Sequence, residues 1–215
     1  MFDTTPPVYT VDAPGYSNRP TISYHLNEAL SSAEVVWVWE QGDRDEESPH
    51  VIGLSRGMLE EGIQDSVMLG EDVQLADGTT YSVLFQGKDV AGNRGPFLTV
   101  SGVTYDTTRP EIVWQSPDSA DFINSSVVSF ILTEELGAGQ ISWERTGGDD
   151  DDETLHIVEL TGTELTGGEH LYESLVQAPE LVDGASYTIA MTGKDLAGNK
   201  AKPIVIQDIL YDTTP

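Results

Sequence analysis

The stretch "LADGTTYSVLFQGKDVAGN" (residues 75–93) returns 106 positions later as "LVDGASYTIAMTGKDLAGN" (181–199), with 10 of 19 positions identical. Each version is a short run rich in Tyr, Val, Ile and Thr, held between an Asp-Gly turn and a second turn, Asp-x-Ala-Gly-Asn. Such a run between turn clusters reads as a β-strand, and a fixed period reads as a repeat. The same offset carries "TISYHLNEAL" (21–30) onto "VVSFILTEEL" (127–136), Trp37 onto Trp143, His50 onto His156 and Asn18 onto Asn124. The strings "FDTTPP" (2–7), "YDTTRP" (105–110) and "YDTTP" (211–215) mark the start, middle and end. The first two are offset by 103 rather than 106, so the one clear length difference lies between residues 8 and 18. The chain is therefore expected to hold two copies, 1–104 and 105–215, with the last string opening a third repeat of a longer array.

Composition narrows the function. Two copies of about 105 residues are each long enough to bury a core unaided. Cysteine is absent, which excludes disulfides and thiolate metal sites. With 37 acidic against 10 basic residues the formal charge is −27. Nucleic acid and anionic membrane surfaces are poor partners for such a chain, and cations are good ones. Keeping the protein soluble is one reason for surface carboxylates, but it leaves unexplained why particular carboxylates recur in both copies. No apolar run is long enough for a membrane-spanning helix.

Long stretches of helical period are missing. Strands are predicted near 7–12, 20–27, 33–40, 50–54, 64–69, 79–88 and 97–105, and near 111–115, 126–133, 139–145, 155–160, 170–177, 185–193 and 203–211. Seven short strands per copy is the count of an immunoglobulin-like sandwich. Trp37 and Trp143 fall on the third strand, where such sandwiches bury a tryptophan. Tyr81 and Tyr187 follow Asp-Gly as a tyrosine corner does. The expectation is an all-β protein of two tandem seven-stranded immunoglobulin-like (fibronectin type III-like) β-sandwiches without disulfides.

With the strands lettered A to G, the chain enters at one pole, and the B–C and F–G loops return to it. Asp3 and Asp106 mark the chain's arrival. Glu28 and Glu134 (the latter followed by Glu135) lie in the B–C loops, and Asp89 with Asn93 and Asp195 with Asn199 flank the F–G turns. Asp77 lies in the E–F turn at the opposite pole of the first copy, facing the second. The predicted junction set is thus Asp106, Glu134, Asp195 and Asn199, with Asp77 as a contributor from the preceding copy. Asp3, Glu28, Asp89 and Asn93 form the equivalent set at the start. Clustered carboxylates raise one another's pKa unless a cation joins them. Carboxylate, amide and backbone oxygens suit Ca²⁺ better than Mg²⁺ or Zn²⁺. The competing reading is that Asp-x-Ala-Gly-Asn is a hydrogen-bonded turn and D-T-T-x-P a capped, proline-stiffened one.

A Y-D-T-T-x-P opening and a G-K-D-x-A-G-N close on a domain of this size resemble the bacterial Ig-like repeats of giant surface adhesins and biofilm-associated proteins. The resemblance covers both copies and is strongest at 75–110 and 181–215. It implies an extracellular, cell-surface tandem array, with Ca²⁺ at or near domain junctions held by Asp106, Asp195 and Asn199, and by Asp3, Asp89 and Asn93. Partners on this reading are neighbouring repeats of the same chain, other surface proteins or polysaccharide. The acidic inserts at 43–50 and 149–156 fall outside the resemblance, and the run Asp149–Asp152 reads as a solvated loop, with a separate weak cation site as the alternative.

The chain offers little for catalysis. His50 and His156 recur without a partnered serine or cysteine and read as surface or packing residues. The function expected is a non-catalytic structural segment of a large extracellular protein, rigidified by Ca²⁺. The alternative is a spacer or carbohydrate-binding module of a secreted polysaccharide-degrading enzyme, for which the unrepeated Trp39 and Trp114 are the candidate sugar platforms.

Overall fold

The computed structural model describes residues 3–70 and 73–214. The chain divides into two units, one ending at Thr108 and the other beginning at Arg109. The division falls four residues after the sequence boundary because Thr107 and Thr108 bond back to Asp77 of the sandwich they leave.

The first unit contains β1 (Tyr9–Asp12), β2 (Tyr16–Ser17), β3 (Thr21–Leu26), β4 (Leu30–Gly42), β5 (His50–Gly53), β6 (Gly62–Met68), β7 (Thr79–Asp89) and β8 (Leu98–Tyr105). The second contains β9 (Ile112–Ser116), β10 (Phe122–Ile123), β11 (Val128–Leu132), β12 (Leu136–Gly148), β13 (Leu155–Glu159), β14 (Gly168–Glu173), β15 (Ala185–Asp195) and β16 (Ile204–Tyr211). Each unit pairs a three-stranded sheet, β1-β3-β6 or β14-β11-β9, with a five-stranded one, β2-β8-β7-β4-β5 or β10-β16-β15-β12-β13. Both units are therefore Ig-like, fibronectin III-like sandwiches. All seven expected strands of each copy are present. The eighth, β2 or β10, is a two-residue strand parallel to β8 or β16. Two residues are too few to leave a periodic signal in sequence.

The long strands read as they do because alternate residues enter the core. Along β4, Ala33, Val35 and Trp37 are buried, and along β7 so are Tyr81, Val83 and Phe85. The second unit repeats this with Ile141 and Trp143 on β12 and Tyr187, Ile189 and Met191 on β15. Both tryptophans are wholly buried, and Trp37 meets Tyr81 edge-on at 5.8 Å between ring centroids. Gly42 and Gly148 end β4 and β12 in the left-handed region, at φ 86° and 72°. A β-carbon on either would collide with the carbonyl oxygen of Gly78 or Gly184. These glycines let each acidic insert lie against the β6–β7 or β14–β15 turn.

Candidate cation site

At the leading end of the first sandwich, three segments distant in sequence meet. Asp3 comes from the arriving string, Glu28 from the β3–β4 loop and Asp89 from the end of β7. One carboxylate oxygen of each lies within 4.8 Å of the others. Asp3 is exposed, Glu28 half-buried and Asp89 buried. The sequence expectation of convergence at this pole thus holds for these three.

The turn after β7 explains how Asp89 is held. Asp89 and Asn93 exchange backbone bonds at 3.0 Å and, through the Asn93 N–H and the Asp89 carboxylate, at 2.8 Å. Asn93 Nδ2 donates to Asp89 Oδ2 at 2.7 Å. Gly92 closes the turn at φ 99°, which accounts for the Gly of Asp-x-Ala-Gly-Asn. Burial pushes the Asp89 carboxyl up, but donors from Asn93, Gly92 and Ala91 together hold it below the usual carboxylate range. Asn93 Nδ2 also reaches the Asp3 and Thr5 carbonyls at 3.2 and 3.3 Å, clipping the string to the turn. Asn93 therefore enters as a donor that positions the string. The second unit builds the same turn: Asn199 N donates to Asp195 Oδ1 at 2.8 Å and Asn199 Nδ2 to Asp195 Oδ2 at 2.9 Å. Glu134 occupies the β11–β12 loop as Glu28 occupies β3–β4.

The D-T-T string has its own geometry. In all three occurrences the aspartate accepts from the backbone N–H two residues on: Asp3 from Thr5, Asp106 from Thr108 and Asp212 from Thr214, at 2.9, 2.9 and 3.0 Å. Asp77 stands apart from the acid group. One of its oxygens accepts from the Thr107 N–H and hydroxyl, the other from the Thr108 hydroxyl at 2.7 Å. These donors outweigh the upward push of burial and lower its pKa. Asp183 takes Thr213 in the same way in the second unit. Asp77 is thus committed to tying the string to the sandwich it leaves.

Sequence reading missed a second set of carboxylates. Asp45 Oδ2 is 2.6 Å from His50 Nε2 and accepts from the Tyr81 hydroxyl at 2.6 Å, while Oδ1 accepts from the Glu47 N–H. Asp151 does the same with His156 at 2.8 Å, Tyr187 at 2.5 Å and the Glu153 N–H. Each tyrosine hydroxyl in turn accepts from a backbone N–H five residues earlier, Ala76 or Val182. Burial raises both aspartates, but the tyrosine, histidine and backbone donors win and lower them. Burial and the neighbouring Asp151 push the Tyr187 hydroxyl up to about 12, and burial with Asp45 pushes Tyr81 up as well. The run Asp149–Asp152 is therefore not a wholly solvated loop: Asp151 is buried and hydrogen-bonded to His156. The spacing Asp-x₄-His, with the tyrosine 36 residues beyond the aspartate in both copies, was the signal.

The two tryptophans that do not recur each have a bonded N–H. Trp114 packs partly buried against the second core and donates Nε1–H to the Pro117 carbonyl. The Trp39 Nε1–H is spent on the Asp43 carbonyl. Both indole N–H groups are thus satisfied, while the Trp39 ring remains 39% exposed.

No family model and no curated protein matches the chain. Among solved structures it is similar to the fibronectin(III)-like modules of Clostridium thermocellum CbhA, at 13% identity over 95% of this chain and 94% of that one, with a TM-score of 0.36. A likeness this loose assigns no function.

Proposed function

We propose that this chain is a non-catalytic structural segment of an extracellular bacterial array, of the adhesin type, whose sandwiches are held in line by Ca²⁺. The observation that carries the reading is the convergence of Asp3, Glu28 and Asp89 from three distant segments of one sandwich. All the donors are hard oxygens and none is histidine or cysteine, which fits Ca²⁺ and not Zn²⁺. Bound there, the ion would neutralise the gathered charge and fasten the arriving string to the two loops. By the repeat, Asp106 with Glu134 and Asp195 would do for the second sandwich what Asp3, Glu28 and Asp89 do for the first. The threonines of the same string grip the sandwich behind, through Asp77. One five-residue motif would then couple backwards by hydrogen bonds and forwards by a cation.

Calorimetric titration of the chelated protein with Ca²⁺ tests this. Uptake with dissociation constants of roughly 10⁻⁴ to 10⁻³ M is expected, in the range of extracellular modules. Asp89→Asn combined with Asp195→Asn is expected to abolish it. Heat of binding that survives both substitutions would place the ion elsewhere.

A further inference from the structure

The one clear difference in length between the copies falls before β10 of the second sandwich. Three extra residues, 118–120, precede β10 where the first copy passes directly from Pro14 to Gly15. The insert is fixed in place: the Ala120 N–H donates to the Gln207 carbonyl and the Asp118 N–H to Asp121 Oδ2. The residues flanking it, Pro117 and Asp121, line an open groove of about 430 Å³ together with Ser116, Phe122, Asn124 and Tyr172, among others. Phe122 and Tyr172 are 75% and 79% exposed.

Tyr172 carries the argument. It sits at φ 53°, a left-handed conformation unfavourable to any residue with a β-carbon and rare for a bulky one. The backbone there is imposed by a bulge between β11 and β14, with the Tyr172 N–H bonded to Ser129 Oγ. The first copy has the same bulge between β3 and β6, and its left-handed residue, at φ 49°, is Ser66, bonded to Ser23 Oγ. The fold therefore asks only for the conformation, and a small polar residue supplies it. In the second copy the position carries an exposed ring that no core packing accounts for. Strain of this kind, kept at the surface, is a pointer to function.

We propose that this groove binds a neutral polysaccharide chain. A pyranose presents apolar C–H faces and a rim of hydroxyls. Two exposed rings match the faces, and Asp121, Asn124 and Ser116 offer acceptors and donors to the rim. The Asn124 amide has no protein partner among the described residues. A chain of net charge −27 repels polyanions, which leaves uncharged glycans as the class that fits both rings and polar rim. This inference does not depend on the cation reading, since none of Asp106, Glu134 and Asp195 is invoked.

The test is affinity electrophoresis of the whole 215-residue chain in gels containing β-glucan, xylan or mannan, with excess chelator, followed by calorimetry with the matching hexasaccharide. At least one glycan is expected to retard the protein. Tyr172→Ser, which restores the residue of the first copy, is expected to weaken binding at least tenfold without lowering the melting temperature, and Phe122→Ser to do likewise. The proposal is overturned if none of the three glycans retards the protein, or if Tyr172→Ser binds as the parent does. It also fails if retardation requires Ca²⁺, or if oligolysine binds at this groove in a salt-sensitive way and glycans do not, which would mark a site for basic peptide.

Discussion

The two ends of a single sandwich treat carboxylates in opposite ways. At the trailing end, Asp45 is enclosed by a histidine, a tyrosine hydroxyl and a backbone N–H, and Asp77 by two threonines. At the leading end, Asp3, Glu28 and Asp89 are gathered against one another, and only Asp89 has a full set of protein donors. A carboxylate removed from water needs either donors or a counter-charge. The trailing end builds its donors into the fold, whereas the leading end concentrates negative charge that a cation from solution would balance. Recurrence in both copies is thus compatible with two jobs: internal fastening and ion capture.

The largest expected effect comes from breaking the fastened end. Asp151→Ala leaves the Tyr187 hydroxyl and His156 buried without their shared acceptor, and is expected to cost about 3 kcal/mol in urea denaturation of the second unit. The loss should be the same with and without Ca²⁺, which is what separates this end from the other. Next in size, millimolar Ca²⁺ is expected to add about 1–3 kcal/mol to stability through the leading end. The gain should appear as a rise in melting temperature that the Asp89→Asn, Asp195→Asn pair no longer gives. An equal rise in that double variant would erase the distinction between the ends.

Acid sharpens the comparison further. Asp45 and Asp151 have folded-state pKa values below their unfolded ones. Their stabilisation is complete above the unfolded value of about 3.9 and is lost as pH falls through the lowered folded value. Melting temperature should therefore drop below about pH 4, and the drop should shrink in Asp151→Asn. The smallest effect is expected from Thr108→Val, which removes one exposed hydroxyl bond to Asp77 and should cost about 0.5 kcal/mol. Its readout is greater proteolytic nicking around residues 105–110 rather than a shift in melting.

Much of this was legible along the chain because the repeat made it so. Tyr81 and Tyr187 after Asp-Gly, the buried Trp37 and Trp143, and the strands around them follow from turn chemistry and burial, which act within a few residues. The convergence of Asp3, Glu28 and Asp89 followed from topology alone, once the strands were ordered. What escaped was pairing across the fold. Asp151 looked like a member of a solvated acidic run, and His50 and His156 like surface or packing residues, although their spacing repeats. The bonds that Asp77 accepts from Thr107 and Thr108 were not foreseen. The bond from the Trp114 N–H to the Pro117 carbonyl escaped in the same way.

By itself, then, the sequence determined that this is a tandem all-β protein, where all of its strands but the two-residue β2 and β10 fall, and which acids reach the same pole. It could do so because alternation, turn residues and an internal repeat are local or periodic properties. Only the tertiary structure decided which carboxylates are enclosed by donors and which face one another, and that Phe122 and Tyr172 of the second copy line one groove. Those outcomes depend on distances between segments some 30 to 90 residues apart, and nothing in a linear chain fixes such distances until the two sheets close.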